Sequence, residues 1–379
     1  MVTRMMLDRR SFCGALLLGG LVSFRPAAAS GPVTVTDMTG RSVLLPATPK
    51  RIVLLEARDI ISMAMLVDDP AARVVGWAAV DRIDAPLLQA QLTGDHQIAE
   101  VGKQGPDTIS LEGIVRLEPD LVISNFYMTP LGEDDLLVQR LSELGIPVVF
   151  SDLATNAEPD GGARPGPVEN LGRHMRMWGE VLKEGARAED YLSFVDSHLD
   201  RVRACLTDVA PMTTYLEIMS TVDDCCWAAG TTVWGELLAL AGGQTLPGVT
   251  EAWYQKLQLE HLLSTPFDVY IASGGGWFAG GRPAIGPGID PEEGREGLQR
   301  LIGRTGFSEL DAVRDNRVYG IWTGLIAAPP LNILFIECAA KWQHPELCAA
   351  IDPAQTLAEI NDRFMSTPIE GPLWTALEG

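Results

Sequence analysis

The sequence predicts an α/β protein of two similar lobes, each a parallel sheet covered by helices, with one long α-helix between them. Three observations carry that prediction. The first is a repeat: residues 111–124, LEGIVRLEPDLVIS, are echoed by 259–272, LEHLLSTPFDVYIA. Leu111, Glu112, Ile114, Val115, Asp120 and Ile123 fall on Leu259, Glu260, Leu262, Leu263, Asp268 and Ile271 at a constant offset, and only the proline (Pro119, Pro266) slips by one. Each copy reads as a short helix with an apolar face, stopped by proline and followed by an apolar run of buried-strand length. The second is alternation: strand-length apolar runs take turns with helical spacing along most of the chain, the grammar of parallel sheets with both faces covered. The third is a stripe of Tyr191, Leu192, Val195, Leu199, Val202 and Leu206. A helix over Ala188–Leu206 would be ~28 Å long, and it lies between the two copies.

In order, alternating residues on both sides of the Asp37–Gly40 turn predict a β-hairpin over 33–46. A buried strand at 49–55, a helix over 59–67 and strands at 73–77 and 98–101 follow, before the first copy of the repeat. A helix at 136–144 runs into a strand at 146–150. The Pro- and Gly-rich stretch 156–167 marks a loop, and Leu171, Met175, Trp178, Val181 and Leu182 then form a first helical stripe. A strand at 213–218, a helix from 233 to 240 stopped by Gly242-Gly243, the echo, a Gly/Pro-dense surface loop over 279–295, a strand at 317–321 and helices over 331–344 and 354–365 complete the chain. The expected division is an N-terminal lobe (30–167), connecting helices (168–207) and a C-terminal lobe (208–379), both lobes Rossmann-like.

The first residues form an address. Arg9-Arg10-Ser11-Phe12, an apolar run from Cys13 to Phe24 and Ala27-Ala28-Ala29 predict a signal peptide, 1–29, cleaved near Ala29, with the arginine pair pointing to the twin-arginine route. The run is too short for a membrane span of ~20 residues. The chain carries 29 Lys/Arg against 50 Asp/Glu. Cleavage removes four basic residues and one acidic, leaving 25 against 49, a net charge of −24. That balance argues against nucleic acid and against general attraction to anionic lipid. Five cysteines remain beyond the leader, so at least one is unpaired within the chain. Cys338 and Cys348 flank a helix end and could pair; Cys225-Cys226 is a candidate vicinal disulfide, against a plainer reading of small buried thiols.

Several stretches together resemble one family. They are Val33–Asp37 with Gly40-Arg41, Leu45-Pro46, Pro49–Val53, Leu111-Glu112 with Pro119–Ile123, and Leu144–Pro147. Gly235–Leu238 with Gly242-Gly243, Ala312–Arg314 with Arg317–Tyr319, and His344–Leu347 continue the series. In this order they resemble the periplasmic siderophore- and cobalamin-binding proteins of ABC importers, over nearly all of 33–366. The resemblance implies two lobes bridged by a single long helix, a ligand cleft between them, and one exposed glutamate per lobe docking on arginines of the permease. The matching positions are Glu112 and Glu260. It implies a periplasmic monomer that binds a ferric siderophore, with haem or cobalamin as alternatives, and carries no resident cofactor.

Cleft residues should come from loops beyond the C-terminal ends of the strands. Those loops carry Arg58, Trp77, Phe126, Tyr127, Trp227, Trp277, Phe278 and Trp322. The aromatics would suit a large flat or apolar chelate, and Arg58 an anionic oxygen on it. Any single aromatic there could equally belong to the core. Arg82 and Arg282 read as solvated. Direct zinc or manganese binding would need converging ligands, and His96, His174, His198, His261 and His344 are scattered. An enzyme, such as a two-lobed chelatase, would want a metal-facing histidine, and no nucleophile elbow, phosphate loop or His-Glu-x-x-His motif is present.

Overall fold

The computed structural model describes residues 31–151, 165–275 and 281–377. The expected signal peptide lies outside the described residues, as do Trp277 and Phe278. The chain opens with the hairpin of β1 (Val33–Thr36) and β2 (Ser42–Leu45), whose turn is tied by Asp37, accepting from the backbone N–H of Thr39 and Arg41. Then come β3 (Ile52–Leu54), α1 (Asp59–Ala64), β4 (Val74–Ala78), α2 (Pro86–Thr93), β5 (Ala99–Gly102), α3 (Leu111–Arg116), β6 (Leu121–Ser124), α4 (Leu136–Glu143) and β7 (Val148–Phe150). These five later strands form one parallel sheet in the order β5-β4-β3-β6-β7. Every residue of β3 and β6 is buried, as continuous apolar strands covered on both faces must be.

Two long helices follow, α5 (Pro167–Leu182) and α6 (Gly185–Cys205). They pack on each other; α5 also meets β1 and α1, and α6 meets a helix near the C-terminus. At 21 residues, α6 is ~31 Å long. The second half runs β8 (Met212–Glu217), β9 (Trp227–Ala229), α7 (Trp234–Leu240), β10 (Gly243–Gln244), β11 (Tyr254–Lys256), α8 (Leu259–Ser264), β12 (Val269–Gly274), α9 (Pro291–Ile302), α10 (Asp311–Arg314), β13 (Val318–Trp322), α11 (Gly324–Ala327), α12 (Asn332–Gln343), α13 (Pro353–Phe364) and β14 (Trp374–Ala376). Its sheet has the order β11-β9-β8-β12-β13-β14, with β10 beside β8. Strands β8, β12 and β13 are parallel; β9, β11 and β14 are antiparallel additions, so this sheet is mixed. Part of the stretch expected as a surface loop is α9, started by Asp290, whose side chain caps the N–H of Glu292.

The repeat has a structural meaning. Its two copies are α3 leading to β6 and α8 leading to β12, with Ile114 and Leu262 fully buried. The shared aspartate starts the strand and clamps its neighbour. Asp120 accepts from the N–H groups of Lys50 and Arg51 at 2.8 and 2.9 Å, while its own N–H bonds the Arg51 carbonyl. Asp268 does the same to Thr213, at 2.8 Å in each direction. Donors at the entry of a central strand are thereby satisfied in both sheets, two in the first and one in the second.

Cys205, at the end of α6, is bonded to Cys348, just beyond α12, with a Cα–Cα separation of 5.2 Å. The expected Cys338–Cys348 pairing is therefore wrong. Cys338 sits inside α12 with its thiol buried in the core and free, where no partner can reach it. Cys225 and Cys226 are joined as a vicinal disulfide.

Candidate functional site

A cleft of about 530 Å3 opens where the C-terminal ends of the parallel strands in the two sheets face each other. From the first sheet, β3 delivers Arg58, β4 delivers Arg82 in the turn that follows it, and β6 delivers Tyr127. From the second, β8 leads into Ile218 and Met219, β12 ends at Ser273 and Gly274, and β13 leads to Thr323. Trp234, at the start of α7, and Trp253 and Tyr254, around the start of β11, form an aromatic wall. Pro165 and Pro167, at the head of α5, lie on the rim.

The arginine side is built around a buried carboxylate. Glu56 receives Arg58 through two bonds of 2.9 and 3.0 Å and Arg82 through one of 2.8 Å. Burial by itself would raise the carboxyl of Glu56, but the two guanidinium groups outweigh it and hold the pKa below the usual carboxylate range. Arg82 in turn lies over the Tyr127 ring, 3.9 Å from its centroid. Two guanidinium groups share one counter-charge, and Glu56 sits behind them rather than on the wall.

A third guanidinium, Arg282, enters from the other half. It donates to Thr323 Oγ1 at 3.2 Å, and that hydroxyl donates to the Gly274 carbonyl at 2.9 Å. Burial lowers the pKa of Arg282 from its ordinary value, and the charge of Asp84 acts the other way. Asp84 also accepts the Trp322 indole N–H on its carbonyl at 3.1 Å and packs against Gly275, where any side chain would overlap its carboxylate. The floor thus joins the first half of the chain to the second.

The backbone around the cleft is strained. Of the eight non-glycine residues with positive φ among the described residues, Ala79 and Asp84 bracket the Arg82 turn, and Met219 and Val233 line the cleft itself. Val233, at φ 41°, is a β-branched residue in a region that such residues avoid, a cost that clusters at ligand sites. Beneath Ile218, Arg304 grips Glu217 with two bonds of 2.8 Å and donates to the Tyr270 hydroxyl at 2.7 Å. Burial together with the Glu217 charge pushes Tyr270 far above its usual pKa, so it keeps its proton and donates to Glu217.

Of the residues expected in the cleft, Arg58 and Tyr127 line it. Trp77, Phe126 and Trp322 do not: Trp77 is core, Phe126 stacks on Phe150 at 5.1 Å, and Trp322 is fully buried by its bond to Asp84. Trp227 stands outside the wall, edge-on to Tyr254 and bonded through its N–H to Asp224. Arg82 and Arg282, expected in solvent, belong to the cleft. Sequence reasoning misses Trp234, Trp253 and Tyr254, which lie at the start of α7 and around the start of β11, the strand paired with β9. Glu112 and Glu260 are exposed on α3 and α8, Glu112 paired with Arg116 one turn on. None of the five histidines lines the cleft.

Residues 71–322 match the family model of the periplasmic binding proteins, and the chain belongs to that family, whose members bind solutes for ABC transporters. The fold is similar to that of the TroA-like periplasmic binding protein FepB from Veillonella parvula, with a TM-score of 0.79 at 22% identity over 92% of this chain and 100% of that one. It is also similar to the molybdate-binding protein MolA of Haemophilus influenzae (TM-score 0.69, 16% identity, 89% and 99% covered). A third is a periplasmic haem-binding protein from Pseudomonas aeruginosa (TM-score 0.54, 18% identity, 79% and 94% covered). No curated protein matches the chain. Among the described residues no helix is long and apolar enough to cross a membrane.

Proposed function

We propose that the protein captures an iron chelate, a ferric siderophore, in this cleft and delivers it to an ABC permease. The observation that carries the reading is the lining itself: three guanidinium groups, Arg58 and Arg82 from the first half and Arg282 from the second, share one cleft with Tyr127 under Arg82 and the aromatic wall of Trp234, Trp253 and Tyr254. Guanidinium forks suit anionic oxygens, and aromatic faces suit the flat apolar body of a chelate. A space of about 530 Å3 falls in the range of small-molecule sites. Direct ligation of a zinc or manganese ion would draw on converging histidines and carboxylates, whereas the lining holds three arginines, four aromatic residues and no histidine. The haem-binding relative keeps haem as a second reading, because the same wall would accept a flat macrocycle with carboxylates at its edge.

In this scheme residues 30–167 and 208–379 act as the two lobes, and 168–207 connects them. Residues 1–29 direct export to the periplasm and are removed near Ala29. Glu112 and Glu260 dock on the permease, and the protein works as a monomer. Support for the docking pair comes from their equivalent positions on α3 and α8, each two residues before a buried anchor, Ile114 or Leu262, and so turned to the opposite face of its helix. The test is a fluorescence titration with ferric siderophores and haemin. Saturable quenching of the wall tryptophans is expected; no quenching by any of them would overturn the reading.

A further inference from the structure

Ser273 is the last but one residue of β12, and its side chain is 1% exposed on the cleft floor. Its hydroxyl has no hydrogen-bond partner. A buried hydroxyl left unmade costs about 1–3 kcal/mol, and native proteins rarely tolerate one without a use. The neighbouring polar atoms are already arranged. Thr323 Oγ1 bonds the carbonyl of Gly274, the next residue, and receives Arg282, so the guanidinium is tethered beside Ser273. Asp84, whose charge acts on Arg282, does not line the cleft. What the floor presents is one free donor and one held cation.

Resting on the reading of the cleft as a chelate site, we propose that Ser273 and Arg282 form a subsite for an anionic oxygen, a carboxylate of the bound chelate. Ser273 donates its hydroxyl proton to one oxygen, and Arg282 supplies the charge. Chelates lacking a free or peripheral carboxylate leave the hydroxyl unpaired, so the pair determines specificity. Satisfying a buried donor that is otherwise orphaned discriminates more strongly than adding apolar contact.

The experiment compares the full chain with Ser273→Ala in two measurements. Thermal unfolding without ligand should give the variant an unchanged or higher midpoint, since an unsatisfied hydroxyl is lost. Quenching titrations use ferric dicitrate and haemin, both carboxylate-bearing, and ferrioxamine B, which has no carboxylate and is cationic. Wild type should bind at least one of the first two, and Ser273→Ala should weaken that binding roughly tenfold or more, as for a hydrogen bond to a charged group. Equal affinity of the two proteins, binding of ferrioxamine B alone, or a lower midpoint for the variant would each overturn the subsite while the chelate reading stands. Failure of wild type to bind any of the three would overturn both.

Discussion

Removing the charge on Glu56 is the perturbation that most directly probes how the arginine side is held. Glu56→Gln keeps the shape of the side chain and leaves Arg58 and Arg82 without their shared counter-ion. Three bonds of 2.8–3.0 Å are affected, and the partners are only 20% and 17% exposed at their side chains. Breaking a largely buried pair from one side costs about 3–5 kcal/mol, because the surviving charge stays desolvated. The glutamine amide oxygen still accepts from one guanidinium and both arginines keep some contact with solvent, so we expect the low end of that range, about 3 kcal/mol, at pH 7. At about 2 cal/mol/K per residue, a folded chain of this size has an unfolding entropy of about 0.7 kcal/mol/K, so the midpoint should fall by about 4 °C. The pH dependence has a definite sign. The folded-state pKa of Glu56 is lowered, so its contribution is fully present above the unfolded value near 4.5 and is lost as pH falls through the folded value. The gap between wild type and variant should therefore be full at pH 7 and narrow in acid. Calorimetry at several pH values reads both. Equal midpoints at pH 7, or a gap that widens on acidification, would refute the reasoning.

The Cys205–Cys348 disulfide closes a loop of 143 residues, for which chain entropy gives about 5 kcal/mol, so Cys205→Ser should lower stability to denaturant by an amount approaching that. Alkylation under denaturing, non-reducing conditions should label only Cys338 among the five cysteines beyond residue 29, read by mass. His174 lies between the Ser62 hydroxyl and the Ser151 carbonyl, each at 2.8 Å, so Nδ1 carries the proton and Nε2 accepts. Burial lowers its pKa to about 4, against the bond to Ser151; a titration of its ring signals should show this, and stability should fall by about 3 kcal/mol as pH drops from 6.5 to 4. Replacing Glu112 and Glu260 together with alanine should leave chelate affinity unchanged and abolish uptake by cells; unchanged uptake would remove their docking role.

The elements that the sequence disclosed are those whose pattern is local. The repeated helix–proline–strand unit is legible because the same packing problem recurs: one apolar helix face, a stop, and a strand buried on both sides. Even the shared aspartate was visible, although its use as a clamp on the neighbouring strand depends on pairing that no local pattern reveals. The cleft was less legible, for a physical reason. Trp77 and Trp322 stand at strand ends just as a ligand-facing tryptophan would, and only the packing around Asp84 shows that Trp322 is consumed by the floor. Arg82 and Arg282 read as solvated because most arginines are; what brings Arg82 inward is a carboxylate 26 residues earlier, buried by the fold. The antiparallel β9–β11 pairing, which carries Tyr254 to the wall and sets Trp253 beside it, is short and lacks clean alternation. The same applies to the disulfide: Cys348 has Cys338 as its closer neighbour in sequence, but helix α12 turns that thiol into the core.

The central claim is that the cleft between the two sheets holds an iron chelate. Native mass spectrometry of the protein taken from the periplasm of iron-starved cells tests it most directly. A one-to-one adduct is expected whose isotope pattern contains iron and which is lost when Arg58 and Arg82 are both replaced by alanine. An adduct that is a bare metal ion, or an iron-chelate adduct that survives that double replacement unchanged, would contradict it.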